Sequence, residues 1–193
     1  MAYEEYMIEG RNAVLEAFRS GKTIDKLYVL DGCQDGPVLT IKKEAKKQET
    51  VIKYVPRERL DQLSGTGKHQ GVIAAAAAYG YAEVEDILQS AREKQEPPFI
   101  LLLDNIEDPH NLGAIIRTAN LAGAHGVIIP KNRAVGLTAA VARASAGALN
   151  YTPVAKVTNM ARTIEELKKE GLWFVCADMD GTPMYKLDMK GPI

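Results

Sequence analysis

The hydrophobic pattern of the first 79 residues predicts a small α/β unit. Ile8, Val14, Leu15 and Phe18 recur at helical spacing and predict a helix between Glu9 and Ser20. The alternating or apolar stretches that follow, separated by turn residues, predict strand 24–30, a helix opened by Pro37, strand 50–55, helix 57–63 and a strand that begins at Val72.

In the second half, continuous apolar runs alternate strictly with helical patterns. The predicted elements are strand 99–103, helix 112–122, strand 126–129, helix 138–146, strand 153–157, helix 160–170 and strand 172–177. This alternation is typical of a parallel sheet covered by helices. The last four residues resemble the start of a further strand. We therefore predict an α/β chain with domains at 1–79 and 99–193, joined at 80–98 by a charged linker in which a helix runs into a proline-rich end.

Composition narrows the function classes. The chain has 193 residues, 46% of them hydrophobic, and its 24 basic and 25 acidic residues leave a net charge of -1. Any nucleic-acid binding must therefore come from local basic patches. Cys33 and Cys176 lie far apart, which is typical of free thiols in a reducing compartment and indicates no metal site. The N-terminus is acidic and no apolar run is long enough to span a membrane, so we predict a cytoplasmic protein.

The stretch Asp104–Thr118 has two interpretations. Its spacing N-x-G-x-x-x-R (Asn111, Gly113, Arg117) follows a buried strand, where open α/β sheets bind ligands. The same residues also suit a capped helix with Pro109 in its first turn and Arg117 in solvent. A second helix of small residues at 138–147 permits close backbone approach, either to a neighbouring element or to a ligand. Together these features favour a site.

Other candidates lie in the N-terminal half. The loop Ser64–Gly71 lacks the Ser or Thr of a P-loop and precedes a strand, so we predict a mobile loop in which Lys68, His69 and Gln70 contact RNA. Arg11 and Asn12 begin a helix, whose free backbone N–H groups attract phosphate. The lysine cluster at 42–47 is either a solvated helix face or a phosphate contact. No histidine pair has metal-ligand spacing; His110 adjoins the central motif, and His125 is predicted to be structural.

These motifs resemble a known family. Asp108–Ala119 (DPHNLGAIIRTA) resembles the first signature of the SpoU (TrmH) class of SPOUT RNA 2′-O-methyltransferases, and Ala144–Leu149 resembles the segment that follows it. Glu9–Ala17 and His69–Val72 resemble the N-terminal substrate-binding domain, of ribosomal-protein L30e type, of members that methylate a guanosine ribose in 23S rRNA. The resemblance covers nearly the whole chain.

The resemblance implies a trefoil-knotted catalytic domain, S-adenosylmethionine as methyl donor, RNA as substrate and a homodimer. It implies that Arg117 is catalytic, as a clamp for phosphate and developing alkoxide, and that Asn111 orients Arg117 or the ribose. The donor would contact Ala177, Asp178 and Met179. Arg133 joins the residues expected to contact RNA, which are Arg11, Asn12, Lys68, His69 and Gln70.

The chain departs from the family pattern in one respect. The family's second and third signatures are absent from these 193 residues. We therefore expect a chain truncated before the knot closes, a methyl-donor site without its main loops and an inactive 193-residue form. Two alternatives stay open: a non-catalytic RNA-binding protein on the same scaffold, and a tRNA 2′-O-methyltransferase. A dinucleotide oxidoreductase is disfavoured, because no G-x-G-x-x-G follows the first strand.

Overall fold

A computed structural model describes residues 6–193. The acidic N-terminus, on which the exclusion of a signal peptide rests, lies outside the described residues. The chain forms two compact units. The first runs to Gly80 and includes Val135–Arg143, and the second comprises Tyr81–Ala134 and Ala144–Ile193.

The first unit is a mixed sheet with helices. Its elements are β1 (Tyr6–Glu9), α1 (Arg11–Arg19), β2 (Ile24–Leu30), α2 (Gly36–Lys47), β3 (Val51–Val55), α3 (Arg57–Leu63) and β4 (Val72–Ala76). The strand order is β1-β4-β2-β3, with β2 parallel to β3 and β4 antiparallel to both of its neighbours. The predicted helices and strands are confirmed, and β1 is an addition to them.

β1 corrects one sequence prediction. Ile8, assigned to the first helix from its spacing, lies in β1 opposite Ala74. Gly10 separates the strand from α1 at φ +88°, a conformation that glycine adopts without strain. The core of this unit lies between α1, α2 and the sheet and includes the fully buried Val14, Leu27 and Ile41.

The second unit contains a parallel sheet. Its elements are α4 (Val84–Lys94), β5 (Ile100–Leu102), α5 (Pro109–Leu121), β6 (Gly126–Pro130), β7 (Val154–Val157) and α7 (Met160–Lys169). The strands pair in the order β5-β6-β7, all parallel, and every residue of β6 is buried. The predicted α/β fold with a parallel sheet is confirmed. The trefoil knot stays a prediction.

The predicted strand 172–177 is wrong. These residues are outside the strands of the sheet, and Trp173 donates its backbone N–H to Pro192 O at 3.1 Å. Ile193 in turn bonds with Pro98 and Ile100, so the terminal residues lie along β5. The apolar residues of this stretch have the composition of a strand. The hydrogen bond from Trp173 joins them to the segment before Ile193, which is not a strand of the sheet. A strand needs a paired neighbour as well as β-forming residues.

Two segments differ from the sequence-based domain division. The stretch 80–98, predicted as a charged helix that runs into a proline-ended linker, contains that helix as α4, but α4 buries Ile87 and Leu88 in the core of the second unit. α6 (Ala139–Ala144) is shorter than predicted and belongs largely to the segment Val135–Arg143 of the first unit. Gly136 permits this packing, because a Cβ there would come within 2.1 Å of Asp25 Oδ2. Within residues 6–193, no helix is long and apolar enough to cross a membrane.

Candidate functional site

Helix α5 presents the central motif. Asp108 caps it, accepting hydrogen bonds from the backbone N–H groups of His110 at 2.6 Å and Asn111 at 3.3 Å. The apolar side of the helix buries Leu112 and Ile116 completely. The opposite side exposes the polar residues His110, Asn111, Arg117 and Thr118. Asp108 and Pro109 thus act as the start of a capped helix, which is one of the two interpretations of the motif. Arg117 is exposed on the same helix, so the other interpretation, a binding site, stays open.

The helix geometry separates Asn111 from Arg117. Six residues leave two side chains about 120° apart around an α-helix and about 9 Å apart along its axis. His110 and Arg117, seven residues apart, share a face with a difference of only about 20°. The expectation that Asn111 orients Arg117 through its amide therefore does not fit α5, and the alternative, that Asn111 orients the ribose, stays a prediction.

Gly113 explains the small residues of the second helix. A Cβ at Gly113 would lie 2.4 Å from Ala144 Cβ and 2.9 Å from Ser145 N. Ser145 is fully buried at this contact. Of the two expectations for the stretch 138–147, close approach to a neighbouring element is therefore the one observed. The contact fixes the buried side of α5, and with it the direction in which Arg117 points.

Loops at the carboxyl ends of the parallel strands supply the other candidates. Asp104 follows β5 and Arg133 follows β6, so both lie beyond the same edge of the sheet. Arg133 is exposed and adopts φ +56°, in the left-handed region. Its position leaves the guanidinium accessible to an RNA phosphate.

The residues predicted to contact the methyl donor do not form an enclosed site. Ala177, Asp178 and Met179 are all exposed, and Met179 is 98% exposed. The carboxylate of Asp178 accepts the backbone N–H of Met179 at 2.6 Å. Within the described part of the chain, no enclosing wall covers these three residues, and their contact with the methyl donor stays a prediction.

Arg11 in the first unit is held by two partners. Its guanidinium donates to Asp35 Oδ2 at 2.5 Å and to the backbone carbonyl of Gln70 at 3.1 Å. Its backbone N–H donates to Gln70 Oε1 at 3.2 Å. The expectation that this N–H is free for phosphate is therefore wrong, because a glutamine from a distant loop satisfies it. The guanidinium is one third exposed, and Asn12 beside it is exposed.

His69 is a structural residue. Its side chain is 6% exposed, its Nδ1 accepts the backbone N–H of Gly71 at 3.0 Å, and its Nε2 lies 2.9 Å from Asp61 Oδ1. Because Nδ1 accepts a hydrogen bond, the hydrogen of the neutral ring lies on Nε2, which donates a hydrogen bond to Asp61. The ring is buried and therefore offers RNA no surface, which corrects the expected direct contact. Lys68 and Gln70 on either side of it are exposed.

Glu9 anchors the same loop. Its carboxylate accepts hydrogen bonds from Ser64 Oγ at 2.5 Å, Thr66 Oγ1 at 2.7 Å and the backbone N–H of Gly65 at 2.7 Å. Partial burial acts to raise the pKa of Glu9, but these hydrogen bonds together outweigh it and hold the pKa below its usual value. The loop Ser64–Gly71, predicted to be mobile, is tied at one end by Glu9 and at the other by His69.

His125 has an arrangement that parallels His69. Its Nδ1 accepts the backbone N–H of Phe99 at 3.0 Å, and its Nε2 lies 3.2 Å from Glu96 Oε2. The predicted structural role of His125 is confirmed. Among residues 6–193, no group of three potential ligands could hold a metal ion.

Sequence reasoning missed three partners of the candidate residues. Glu9, Asp35 and Asp61 hold the loop and Arg11, and two of these contacts join residues 24 or more positions apart. The spacing of residues along the sequence does not reveal contacts between such distant residues. The sequence Asp35-Gly36-Pro37 could have identified Asp35 as a helix cap, since an acidic cap followed by proline is a common helix start.

Two family models match the chain. Residues 7–82 match the model described as RNA 2′-O ribose methyltransferase substrate binding, and residues 98–193 match the SpoU rRNA Methylase family. Among solved structures, an rRNA methyltransferase from Sinorhizobium meliloti aligns with 96% of this chain and 68% of its own, with a TM-score of 0.48 and 23% identity. The SpoU methyltransferase AviRb from Streptomyces viridochromogenes, solved with AdoMet, aligns with 86% and 58%, with a TM-score of 0.40 and 18% identity.

Curated relatives extend the match to most of the chain. The chain is 51% identical over 178 residues to YacO of Bacillus subtilis, whose name assigns it to the TrmH family of tRNA/rRNA methyltransferases. That alignment covers 92% of this chain and 71% of YacO. A TrmH family relative from Staphylococcus haemolyticus is 44% identical over 183 residues, which cover 95% of this chain and 73% of the relative. By these matches, the chain belongs to the SpoU (TrmH) family of RNA methyltransferases.

Proposed function

We propose that this protein methylates a ribose 2′-hydroxyl of RNA, most specifically a guanosine in 23S rRNA, with S-adenosylmethionine as the donor. One observation carries the proposal: a single chain matches both a substrate-binding model of RNA 2′-O ribose methyltransferases and the SpoU rRNA methylase model. The first of these matches favours ribose over base methylation, and the second favours rRNA over tRNA.

Arg117 is the proposed catalytic residue. A ribose hydroxyl must lose its proton as it attacks a methyl group, and negative charge develops on its oxygen. A guanidinium stays protonated in proteins, so Arg117 is a donor rather than a base. Its exposure on α5 leaves all of its N–H groups available to a phosphate and to the developing alkoxide. The proton would then pass to phosphate or water.

Asn111 is proposed to orient the ribose. Its amide both donates and accepts hydrogen bonds, which suits a hydroxyl that must be held in one direction. It lies in the first turn of α5, whereas Arg117 lies two turns further along. The two residues can therefore contact different parts of one nucleotide, with Asn111 at the sugar and Arg117 at the phosphate.

S-adenosylmethionine is proposed from family membership, and when bound it supplies the methyl group as a sulfonium. Residues 177–179 do not fit an enclosed site for it as they lie, because all three are exposed. We therefore assign no step to Ala177, Asp178 or Met179. The expectation of an inactive 193-residue form stays a prediction, and methyl transfer at millimolar donor, which the proposed function requires, would contradict it.

RNA recognition is the part of the function that the first unit is proposed to carry. Arg11, Asn12, Lys68 and Gln70 surround the start of α1 with exposed polar groups. His69 contributes by holding the loop. Arg133, which lies in the second unit, is proposed to contact an RNA phosphate. Arg11 already pairs with Asp35, so a phosphate would have to share or displace that carboxylate.

A homodimer is also proposed, as in the family. Leu121 and Tyr151 in the second unit are 82% and 80% exposed. Between them Thr152 Oγ1 donates to Asn120 Oδ1 at 3.2 Å, which joins the end of α5 to the segment that carries Tyr151. Two large, exposed apolar side chains on segments joined in this way favour contact with a second copy.

The choice of substrate is tested by a competition between RNAs. The protein is mixed in excess with unmodified 23S rRNA or unmodified tRNA transcripts and millimolar labelled S-adenosylmethionine, and the nucleosides are identified by mass spectrometry. We expect 2′-O-methylguanosine in 23S rRNA. A product found only in tRNA would favour the tRNA enzyme, and binding of RNA with no product would favour the non-catalytic alternative.

A further inference from the structure

Each edge strand of the first sheet carries an exposed tyrosine whose ring is contacted by a lysine from outside the strand. On β1, Lys22 Nζ lies 4.6 Å from the centre of the Tyr6 ring, and on β3, Lys42 Nζ lies 5.0 Å from the centre of the Tyr54 ring. Both tyrosines are exposed, Tyr6 by 66% and Tyr54 by 52%. The two pairs differ in their surroundings. The Lys22–Tyr6 pair is a local contact, whereas the Lys42–Tyr54 pair belongs to a larger basic surface.

Helix α2 presents three lysines on one face, and one of them contacts Tyr54. Leu39, Lys42, Lys43 and Lys46 follow the spacing i, i+3, i+4, i+7 and share one face of the helix. The neighbouring side of the helix buries Val38, Ile41 and Ala45. Lys42 joins this lysine face to the edge strand, because its ammonium lies over Tyr54. We call Lys42, Lys43, Lys46 and Tyr54 the α2–β3 surface.

The acidic residue within the cluster lies off this surface. Glu44 is spaced away from the lysine face along α2, and its carboxylate accepts Lys47 Nζ at 2.7 Å. More broadly, the run 42–59 contains seven basic and three acidic residues, in a chain with 24 basic and 25 acidic residues in total. Positive charge is therefore concentrated here, whereas Tyr6 follows the acidic pair Glu4-Glu5 in the sequence.

The α2–β3 surface is continuous with the proposed RNA contact at Arg11. Asp35, which binds the Arg11 guanidinium, is the cap of α2. At 1.5 Å per residue, Lys42 and Lys46 lie about 10 Å and about 16 Å further along the helix axis. A nucleic-acid strand that meets Arg11 can thus run along α2 from one cation to the next.

We propose that the α2–β3 surface binds a single-stranded segment of the RNA substrate, with lysines on its phosphates and a base stacked on Tyr54. This inference rests on the proposed function and adds a second contact to it. Single-stranded nucleic acid is bound by cations that follow the backbone together with aromatic rings that stack bases. Lysine ammonium groups suit phosphate as point charges, and a half-exposed tyrosine offers its ring to any base.

The test measures binding of 23S rRNA transcript by filter retention over a range of salt concentrations. Tyr54→Ala should weaken binding about tenfold, since a stacked base contributes that order of affinity. Tyr54→Phe, which keeps the ring, should bind like the wild type. Lys42→Ala should lower the slope of log affinity against log salt by about 0.7, the value for one phosphate of a single strand.

The β1 pair supplies the matched controls. Tyr6→Ala and Lys22→Ala remove the same contact from the other sheet edge and should change affinity less than twofold. The thermal midpoint of each variant shows whether it is folded. Suppose that the wild type binds RNA and that Tyr54→Ala and Tyr6→Ala change its affinity equally. The inference is then wrong, and the proposed function stands.

Two further outcomes separate the claims. A wild-type protein that retains no 23S rRNA contradicts both the inference and the proposed function. If the lysine variants lose affinity for polyglutamate as strongly as for RNA while Tyr54→Ala has no effect, the face belongs to an acidic protein and the inference is overturned.

Discussion

Asp35 binds two groups at once: its Oδ2 accepts the Arg11 guanidinium at 2.5 Å, and its Oδ1 accepts the Val38 backbone N–H at 3.1 Å. The hydrogen bond from Val38 is the main reason that the pKa of Asp35 lies below its usual value; burial opposes it, and Cys33 and the charge of Arg11 assist. One carboxylate therefore caps α2 and also occupies the arginine that we propose for RNA.

The two roles of Asp35 can be separated by substitution. Asp35→Ser keeps a capping oxygen but loses the negative charge, so the thermal midpoint should fall little while RNA affinity rises severalfold as Arg11 is released. Asp35→Ala should lose the cap as well and melt at a lower temperature than Asp35→Ser. Binding of 23S rRNA transcript and thermal melting measure the two effects. Unchanged affinity in both variants would show that Arg11 does not contact RNA.

Acid should loosen the loop that Glu9 anchors. The folded-state pKa of Glu9 lies below its usual value of 4.5, so the ionised carboxylate stabilises the folded protein above about pH 4.5. This stabilisation is lost as the pH falls from there through the lowered folded-state value. Glu9→Gln should lower the thermal midpoint at pH 7 and narrow its difference from wild type toward pH 3. A difference that stays constant with pH would contradict this assignment.

The central motif was predictable from sequence because its evidence is local. Asp108, Pro109 and the apolar spacing of α5 are all contained in one short stretch, and the structure has the helix and its cap where that stretch predicts them. Arg11 was chosen for a helix start that lies where it was predicted, but its backbone N–H is satisfied by Gln70, 59 residues away. Contacts across such separations have no periodicity in the sequence.

Gly113 should not tolerate a methyl group. A Cβ there would meet Ala144 and Ser145 closer than any ordinary contact, and two of the three nearest atoms are backbone. Gly113→Ala should destabilise the fold by about 1–3 kcal/mol through overpacking, measured by denaturant unfolding. Gly80→Ala is the matched control, since nothing lies within 4 Å of its Cβ position, and it should be nearly neutral. Equal stabilities of the two variants would mean that α5 and Ala144 are not held together.

The exposed apolar side chains of the second unit predict self-association. Leu121→Glu would place a charge on the face that carries Tyr151, so it should shift a homodimer toward monomer in analytical ultracentrifugation. Tyr185→Glu is the control, because Tyr185 is 83% exposed and lies in a different segment. Identical sedimentation of both variants and the wild type would remove this face from the dimer.

The failed strand prediction has a different cause. Leu172 and its apolar neighbours have the composition of a strand, but a strand also needs a paired neighbour. Trp173 donates its backbone N–H to Pro192 O and is not part of a strand of the sheet. The donor contact at Ala177–Met179 was predicted from the same segment and is exposed in the structure. The composition of a segment indicates a preference for extended backbone. Whether the segment pairs as a strand or lines a pocket depends on residues that are distant in the sequence.

Methylation by Arg117 variants tests the account most directly. With the protein in excess, millimolar labelled S-adenosylmethionine and 23S rRNA transcript, mass spectrometry of the digested RNA should detect 2′-O-methylguanosine for the wild type. Arg117→Ala should form at least about a hundredfold less, the size of effect seen when one charge-stabilising donor is removed, and Arg117→Lys only partly recovers it. RNA binding should fall much less than product formation in both variants, because only one of several proposed phosphate contacts is changed. Base-methylated product, or loss of RNA binding equal to the loss of product, would contradict the account.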